Sequence, residues 1–426
     1  MLMNKFRLSS SQILRIAAAA IMSLCAVQAV ATTKYLPLRF REFAYDGIPY
    51  GLVEDAQGNL YGVATGGSSN AGTVFRAVAD SQGNLTQTVL YDFTGGLDGG
   101  FPAGIVLDAA GNIYGLTSDG GTYGYGVFFE LTPTDHGPWK ESVLYSLTEI
   151  RGNPIPNGPS TDGAGNFFGQ TYEWGGVGYG CGYVFKLSKS TIGVWTYDQI
   201  YTFGCEADGG APFGPFVFDK AGNLYGTGEL GGSLKGGVVF ELTPSTGGPW
   251  SESVVYNFAG GEDGSFPGSG LIVDTSGNLY GTTGSGGSTA GCGLYGGCGT
   301  VFELSPSSDG TWTESVLYSF GNTEPLGNVG PSGLAMDNIG NLFGTTYGGG
   351  AGRSCYNGCG TAFEVSPSGD GQWTGSILHN FTGIPGGYNP FGVVVNRGGR
   401  LYGTTGLGGT GAGFNGTVFE LGGKRN

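Results

Sequence analysis

The sequence points to an all-β protein, a seven-bladed β-propeller built of four-stranded antiparallel blades. A short phrase returns seven times, starting at Gly58, Gly111, Gly165, Gly222, Gly277, Gly340 and Gly399 and reading Gly-Asn-Leu-Tyr-Gly in its commonest form. Successive starts lie 53 to 63 residues apart, the length of one blade with generous loops. Glycine and proline, 90 and 19 of the 426 residues, would suggest low complexity in an aperiodic chain. Here the glycines recur in register with aromatics, so they read as turns between many short strands.

Each repeat carries four strand signals in fixed order, clearest in the fifth copy: 271–274 (A), 279–283 (B), 300–304 (C) and 312–320 (D). Between A and B an Asp-x-x-Gly-Asn turn recurs at Asp55, Asp108, Asp162, Asp219, Asp274 and Asp337, with Asn396 in the last copy. An aspartate that bonds its own turn and a glycine free to adopt positive φ make this a hairpin signal. Strand A is apolar on successive residues, as suits an inner strand covered on both faces. Strand D alternates, with Trp312, Glu314, Val316, Tyr318 and Phe320 on one side, and reads as the outer strand. Its leading tryptophan recurs at Trp139, Trp195, Trp250 and Trp373, which marks a packing residue. The seventh unit stops after 417–421 without a D strand, whereas 35–43 precedes the first A strand. The N-terminal segment therefore completes the last blade and closes the ring, with Tyr35 at the tryptophan position and Arg41 in the tyrosine place.

At the N-terminus Lys5, Arg7 and Arg15 precede or flank an apolar run over 16–27 and Ala29-Val30-Ala31. This reads as a signal peptide, residues 1–31, cleaved after Ala31, leaving 32–426 as a single propeller domain that is secreted or periplasmic. No later stretch is long and apolar enough for membrane insertion. Cleavage leaves six cysteines, which favours disulfides over metal ligands, and only two histidines are present, His136 and His379. A formal charge of −15 argues against nucleic acid. No cofactor fingerprint or metal motif is present, so no cofactor and no metal are expected, and the chain is expected to be a monomer.

Phrases such as Gly277-Asn-Leu-Tyr-Gly-Thr-Thr283, Gly299-Thr-Val-Phe-Glu-Leu304 and Trp312-Thr-Glu-Ser-Val-Leu-Tyr-Ser-Phe320 resemble the GloVer tandem-repeat proteins, a bacterial family of Gloeobacter- and Verrucomicrobia-type repeats. The likeness covers nearly all of 32–426, and the turn phrase is more loosely similar to NHL and kelch propellers. The resemblance implies an extracellular or surface repeat protein and supplies no catalytic residue set. The ending Gly422-Gly-Lys-Arg-Asn426, unlike the sorting anchors of some members, favours a released or periplasmic product.

Four antiparallel strands per blade put the A–B and C–D turns on one face, and the B–C loops and D–A crossings on the other. The B–C loops vary most, so their face is the working face. The cysteines lie there: Cys292 and Cys298 in the fifth loop, Cys355 and Cys359 in the sixth, Cys181 in the third with Cys205 at the next crossing. Pairings 292–298, 355–359 and 181–205 fit, among fifteen connectivities.

Candidate ligand-binding residues on this face are Tyr123, Tyr125, Tyr172, Glu173, Trp174, Tyr179, Glu229, Tyr347 and Arg353, with Trp174 the one tryptophan outside the D-strand position. Rings stack on pyranose C–H faces and carboxylates take sugar hydroxyls; equally, such rings can pack loops together. The leading expectation is an extracellular recognition module for glycan or protein. The alternative is a polysaccharide lyase or glycoside hydrolase drawing on Glu173, Glu229, Asp119, Glu206, Asp208 or Asp263, or on Lys235, Arg353 and Arg151 with nearby tyrosines. A third reading is a structural surface protein. Asp98, Asp208 and Asp263, each followed by glycine in a crossing, read as turns before calcium ligands.

Overall fold

The computed structural model describes residues 39–42, 47–80, 85–134, 138–148, 158–171, 181–245, 249–287, 297–321, 331–352, 354–355, 358–369, 371–384, 386–395, 399–408 and 415–422. Their strands form seven four-stranded antiparallel sheets, each running A-B-C-D outward, and six sheets are continuous in the chain. In blade 1 the four strands are Pro49–Glu54, Leu60–Ala64, Thr73–Ala79 and Leu85–Asp92. Blade 7 takes Tyr388–Val395, Leu401–Leu407 and Thr417–Leu421 from the C-terminal end and Arg39–Glu42 as its outer strand. Arg41 pairs with Val418 as Tyr91 pairs with Val74 in blade 1, so the register puts Arg41 in the tyrosine place.

The repeated phrase is explained by what each residue does. In the A–B turn, Asp55 Oδ1 accepts from the N–H groups of Gln57 and Asn59, and Oδ2 accepts from Asn59 Nδ2 and Tyr61 Oη. The same set recurs around Asp108, Asp219 and Asp274. Burial alone would raise the Asp55 and Asp274 carboxyls, but these donors outweigh it and hold both below the usual carboxylate value. The closing glycine of the phrase makes room for a ring. A Cβ on Gly226 would lie 2.6 Å from Phe240 Cζ, and the same clash with the strand-C phenylalanine arises at Gly62, Gly115, Gly169, Gly281, Gly344 and Gly403.

That phenylalanine knits neighbouring blades. Phe93, Phe203, Phe258, Phe320 and Phe381, each just past strand D, meet Phe129, Phe240, Phe302, Phe363 and Phe419 of the next blade edge to face, with centroids 4.9–5.1 Å apart. The recurring tryptophans pack as the sequence implies: Trp139 on Tyr61, Trp250 on Phe168 and Trp312 on Tyr225, each against strand B of the preceding blade.

Among the described residues, strand A is short in blades 3 and 5, at Ser160–Thr161 and Ile272–Val273. In blade 3, Pro159 withholds a ladder donor. Residues 1–31 and His136 lie outside the described residues, and no described helix is long and apolar enough to cross a membrane.

Candidate functional site

Strand A begins, and strand B ends, on the face that carries the B–C loops. Among the described residues, five prolines near the start of the A strands lean their rings on a glycine of the preceding blade: Pro102 on Gly72, Pro212 on Gly182, Pro267 on Gly237, Pro390 on Gly360, and Pro49 on Gly416 across the ring closure. The residue before the proline donates its N–H to that blade's loop: Phe101 to Ala71 O at 2.6 Å, Ala211 to Cys181 O at 2.7 Å, Phe266 to Gly236 O at 2.8 Å and Asn389 to Cys359 O at 3.0 Å. These four residues all hold positive φ. The loop face is thus bonded from blade to blade by backbone contacts.

Disulfides add to this. Cys181 joins Cys205, tying the third loop to the following crossing, and Cys355 joins Cys359 within the sixth loop. Cys298 is also disulfide-bonded, while Cys292 lies outside the described residues. The crossing aspartates form turns, as their Asp-Gly sequence suggests. Asp98 accepts from Thr94 N, Asp208 from Gly204 N and Asp263 from Ala259 N, at 2.7–2.9 Å.

The same aspartates create the main electrostatic feature of the ring. Tyr91, Tyr201 and Tyr256 donate to Asp98, Asp208 and Asp263 at 3.1–3.3 Å. Against each pair, strand D of the next blade presents Glu141, Glu252 or Glu314, half-buried; Oε1 of Glu141 and of Glu314 is buried without a hydrogen-bond partner, while the Glu252 carboxylate also feels Tyr201. Burial, then the nearby aspartate charge, pushes each of these glutamates up to about 7.

The inner strands surround a channel cavity of about 330 Å³ whose wall is largely glycine and aliphatic, with Leu52, Ile105, Pro215, Leu334 and Val393 among its lining residues. None of the described lining residues is charged. Around its loop-face mouth stand the residues that end strand B, three positions after the phrase's closing glycine: Thr65, Ser118, Glu229, Gly284, Tyr347 and Gly406. Tyr172 holds the equivalent sequence position in the third repeat. Tyr347, 47% exposed, meets the ring of Phe391 at 5.8 Å between centroids, and Asn389 Nδ2 donates to Tyr347 Oη at 3.0 Å. Phe391, 38% exposed, also lines the channel, so this cluster sits at the mouth. Glu229 reaches the rim beside Gly268, with Oε1 3.8 Å from where a Cβ on that glycine would lie.

Two sequence candidates, Tyr347 in blade 6 and Glu229 in blade 4, thus hold the same strand-B end position on the loop face. Tyr123 and Tyr125 are exposed in the second B–C loop, whose Thr122 N–H bonds Ser146 at the end of strand D. They stand toward the outer edge, apart from the mouth. Tyr172, Glu173, Trp174, Tyr179, Arg353 and Arg151 lie outside the described residues. Glu206 pairs with Lys235 at 3.7 Å in an exposed ion pair, and Asp119 accepts from Gly120 N. His379 lies in strand D against Phe381, where burial lowers its pKa. Sequence reasoning passed over Asn389, Phe391, Phe101 and Phe266. The signal that finds them is the proline that recurs six or seven residues before the A–B turn residue, at Pro49, Pro102, Pro156, Pro212, Pro267, Pro331 and Pro390.

A family model described as the Gloeobacter/Verrucomicrobia repeat matches residues 48–295. No curated protein matches the chain in sequence. Among solved structures, a catalytically inactive virginiamycin B lyase from Staphylococcus aureus with quinupristin is similar at 12% identity, TM-score 0.53, covering 91% of this chain and 99% of that one. YCF48 from Cyanidioschyzon merolae is similar at 12% identity, TM-score 0.50, over 91% and 99% of the two chains. At such identity the likeness speaks for the fold alone.

Proposed function

Because the chain belongs to the Gloeobacter/Verrucomicrobia repeat family, we propose that this propeller is an exported recognition module that binds glycan at the loop-face mouth of its channel. Residues 1–31 serve as the leader, and the loop disulfides suit an oxidising compartment. The observation that carries the reading is the rim cluster of Tyr347, Phe391 and Asn389, two partly exposed rings in contact with an amide at hydrogen-bond distance. Exposed rings offer flat faces for sugar C–H groups, and an amide supplies both donor and acceptor for hydroxyls. The lyase or hydrolase alternative needs two acids, or a cation with a base, converging where a sugar bond would lie. Of its described acids, Glu229 alone stands at the mouth, while Asp208 and Asp263 hold their own crossings. The test is co-sedimentation of the purified chain with cellulose, xylan and polygalacturonate, with new reducing ends and unsaturated products followed together. Retention that Tyr347→Ala/Phe391→Ala abolishes, without product, supports the module; product formation overturns it.

A further inference from the structure

We propose that Phe101 and Phe266 are ligand-contact residues, set on nearly opposite sides of the mouth to hold a neutral glycan chain across it. This rests on the glycan-binding reading above. Both rings are unusually placed. Phe101 is 41% exposed and Phe266 39% exposed, with φ of +52° and +57°, and each precedes a proline. A bulky residue at positive φ is a genuine outlier, and the following proline restricts it further. Of the other described residues that precede these prolines, Asn389 and Ala211 hold the same positive φ with side chains that burden it less, whereas Ile48 does not adopt it.

Strained backbone and exposed apolar surface both count against stability, and so much exposed ring gains little from packing. What the arrangement supplies is direction. The Phe101 N–H is held by Ala71 and its carbonyl accepts from Ser118 Oγ at 3.2 Å. The Phe266 N–H is held by Gly236 and its carbonyl accepts from Gly284 N at 2.9 Å. The backbone of each residue is thereby pinned, which fixes the direction in which its side chain leaves the chain, as strain at contact sites can.

Phe101 heads blade 2 and Phe266 heads blade 5, three apart in a ring of seven. The blades are separate sheets, which pack about 10 Å apart, so positions three blades apart stand at least on the order of 10 Å from each other, farther than one sugar ring spans. A ligand touching both is an oligomer, with Tyr347 and Phe391 giving a third contact. Glu229 and the chain's charge of −15 disfavour uronic acids, and the uncharged lining of the channel suits a neutral chain.

The test is calorimetric titration of the purified chain with gluco- and xylo-oligosaccharides of one to six units, alongside thermal melts. Wild type should tighten at least about tenfold from two to five units, and Phe101→Gly/Phe266→Gly should lose about that factor for the long sugars only. Its Tm should hold or rise, because glycine relaxes the backbone. If this variant binds as wild type does while Tyr347→Ala/Phe391→Ala is impaired, the inference fails and the glycan reading stands. A Tm fall of several degrees, marking the rings as packing residues, also overturns the inference, as does affinity that ignores sugar length. If wild type binds none of these sugars or the polysaccharides above, both readings fall together.

Discussion

Stability should fall as pH rises from about 5 to 8, because three blade boundaries each bury part of a glutamate beside an aspartate. Glu141 faces Tyr91 and Asp98, Glu252 faces Tyr201 and Asp208, and Glu314 faces Tyr256 and Asp263. A carboxyl raised from 4.5 to about 7 stabilises the fold fully below pH 4.5 and loses that contribution as pH climbs through about 7. Unscreened, each shift is worth roughly 3 kcal/mol. All three side chains are half-exposed, and solvent screening brings the figure to about 1 kcal/mol each. Roughly 3 kcal/mol in a chain of this size is a Tm difference of about 3–6 °C. Asp55 and Asp274 work in the opposite sense, but below their ordinary value of 3.8, outside this window. His379, lowered by burial, opposes the trend at the acid end. The assay is therefore differential: Tm at pH 5 minus Tm at pH 8 for wild type and for Glu141→Gln/Glu252→Gln/Glu314→Gln, so that His379 cancels. The triple variant should lose most of the difference and be the more stable protein at pH 8. Equal differences in the two proteins, or wild type more stable at pH 8, would refute the reasoning.

Three further outcomes follow from the packing. Gly226→Ala pushes a methyl into Phe240 and Phe216 and should cost about 1–3 kcal/mol in chemical denaturation. Cys181→Ser/Cys205→Ser opens a link of sequence separation 24 and should cost about 3 kcal/mol, with faster proteolysis of the third loop. Removing residues 32–42 strips the outer strand from blade 7 and leaves Thr417–Leu421 as an open edge; size-exclusion chromatography should then find assemblies and melting a lower Tm.

The fold was legible because every residue of the repeated phrase has a local task. The aspartate ties its turn, the tyrosine caps it, the last glycine admits a phenylalanine and the tryptophan wedges against the preceding blade. Seven copies of one physical problem leave seven copies of one solution. The register even supports so unpromising a match as Arg41 in the tyrosine place. The site was harder to read because it consists of positions where the copies differ. Tyr172, Glu229 and Tyr347 drew notice as unusual loop residues, though their shared place, three past a repeated glycine, is visible only once the copies are aligned. Phe391 and Asn389 were missed because the start of strand A reads as crossing, and nothing in the residues themselves signals positive φ at Phe101 or Phe266. Pairing of Tyr347 with Asn389 across 42 residues depends on the ring and has no sequence periodicity.

Closing the ring with Arg39–Glu42 also orders events in time. This strand is the earliest described one to be synthesised, and its partner Thr417–Leu421 is the last. Until that partner arrives, the first strand has nothing to pair with, and blade 1 has no seventh neighbour to lean its Pro49 upon. The ring of a nascent chain therefore stays open until its last strand is made, although six of its blades are continuous in the chain. The same arrangement makes completion collective: a chain cut short at its C-terminal end forfeits both the end it lost and the beginning it still has.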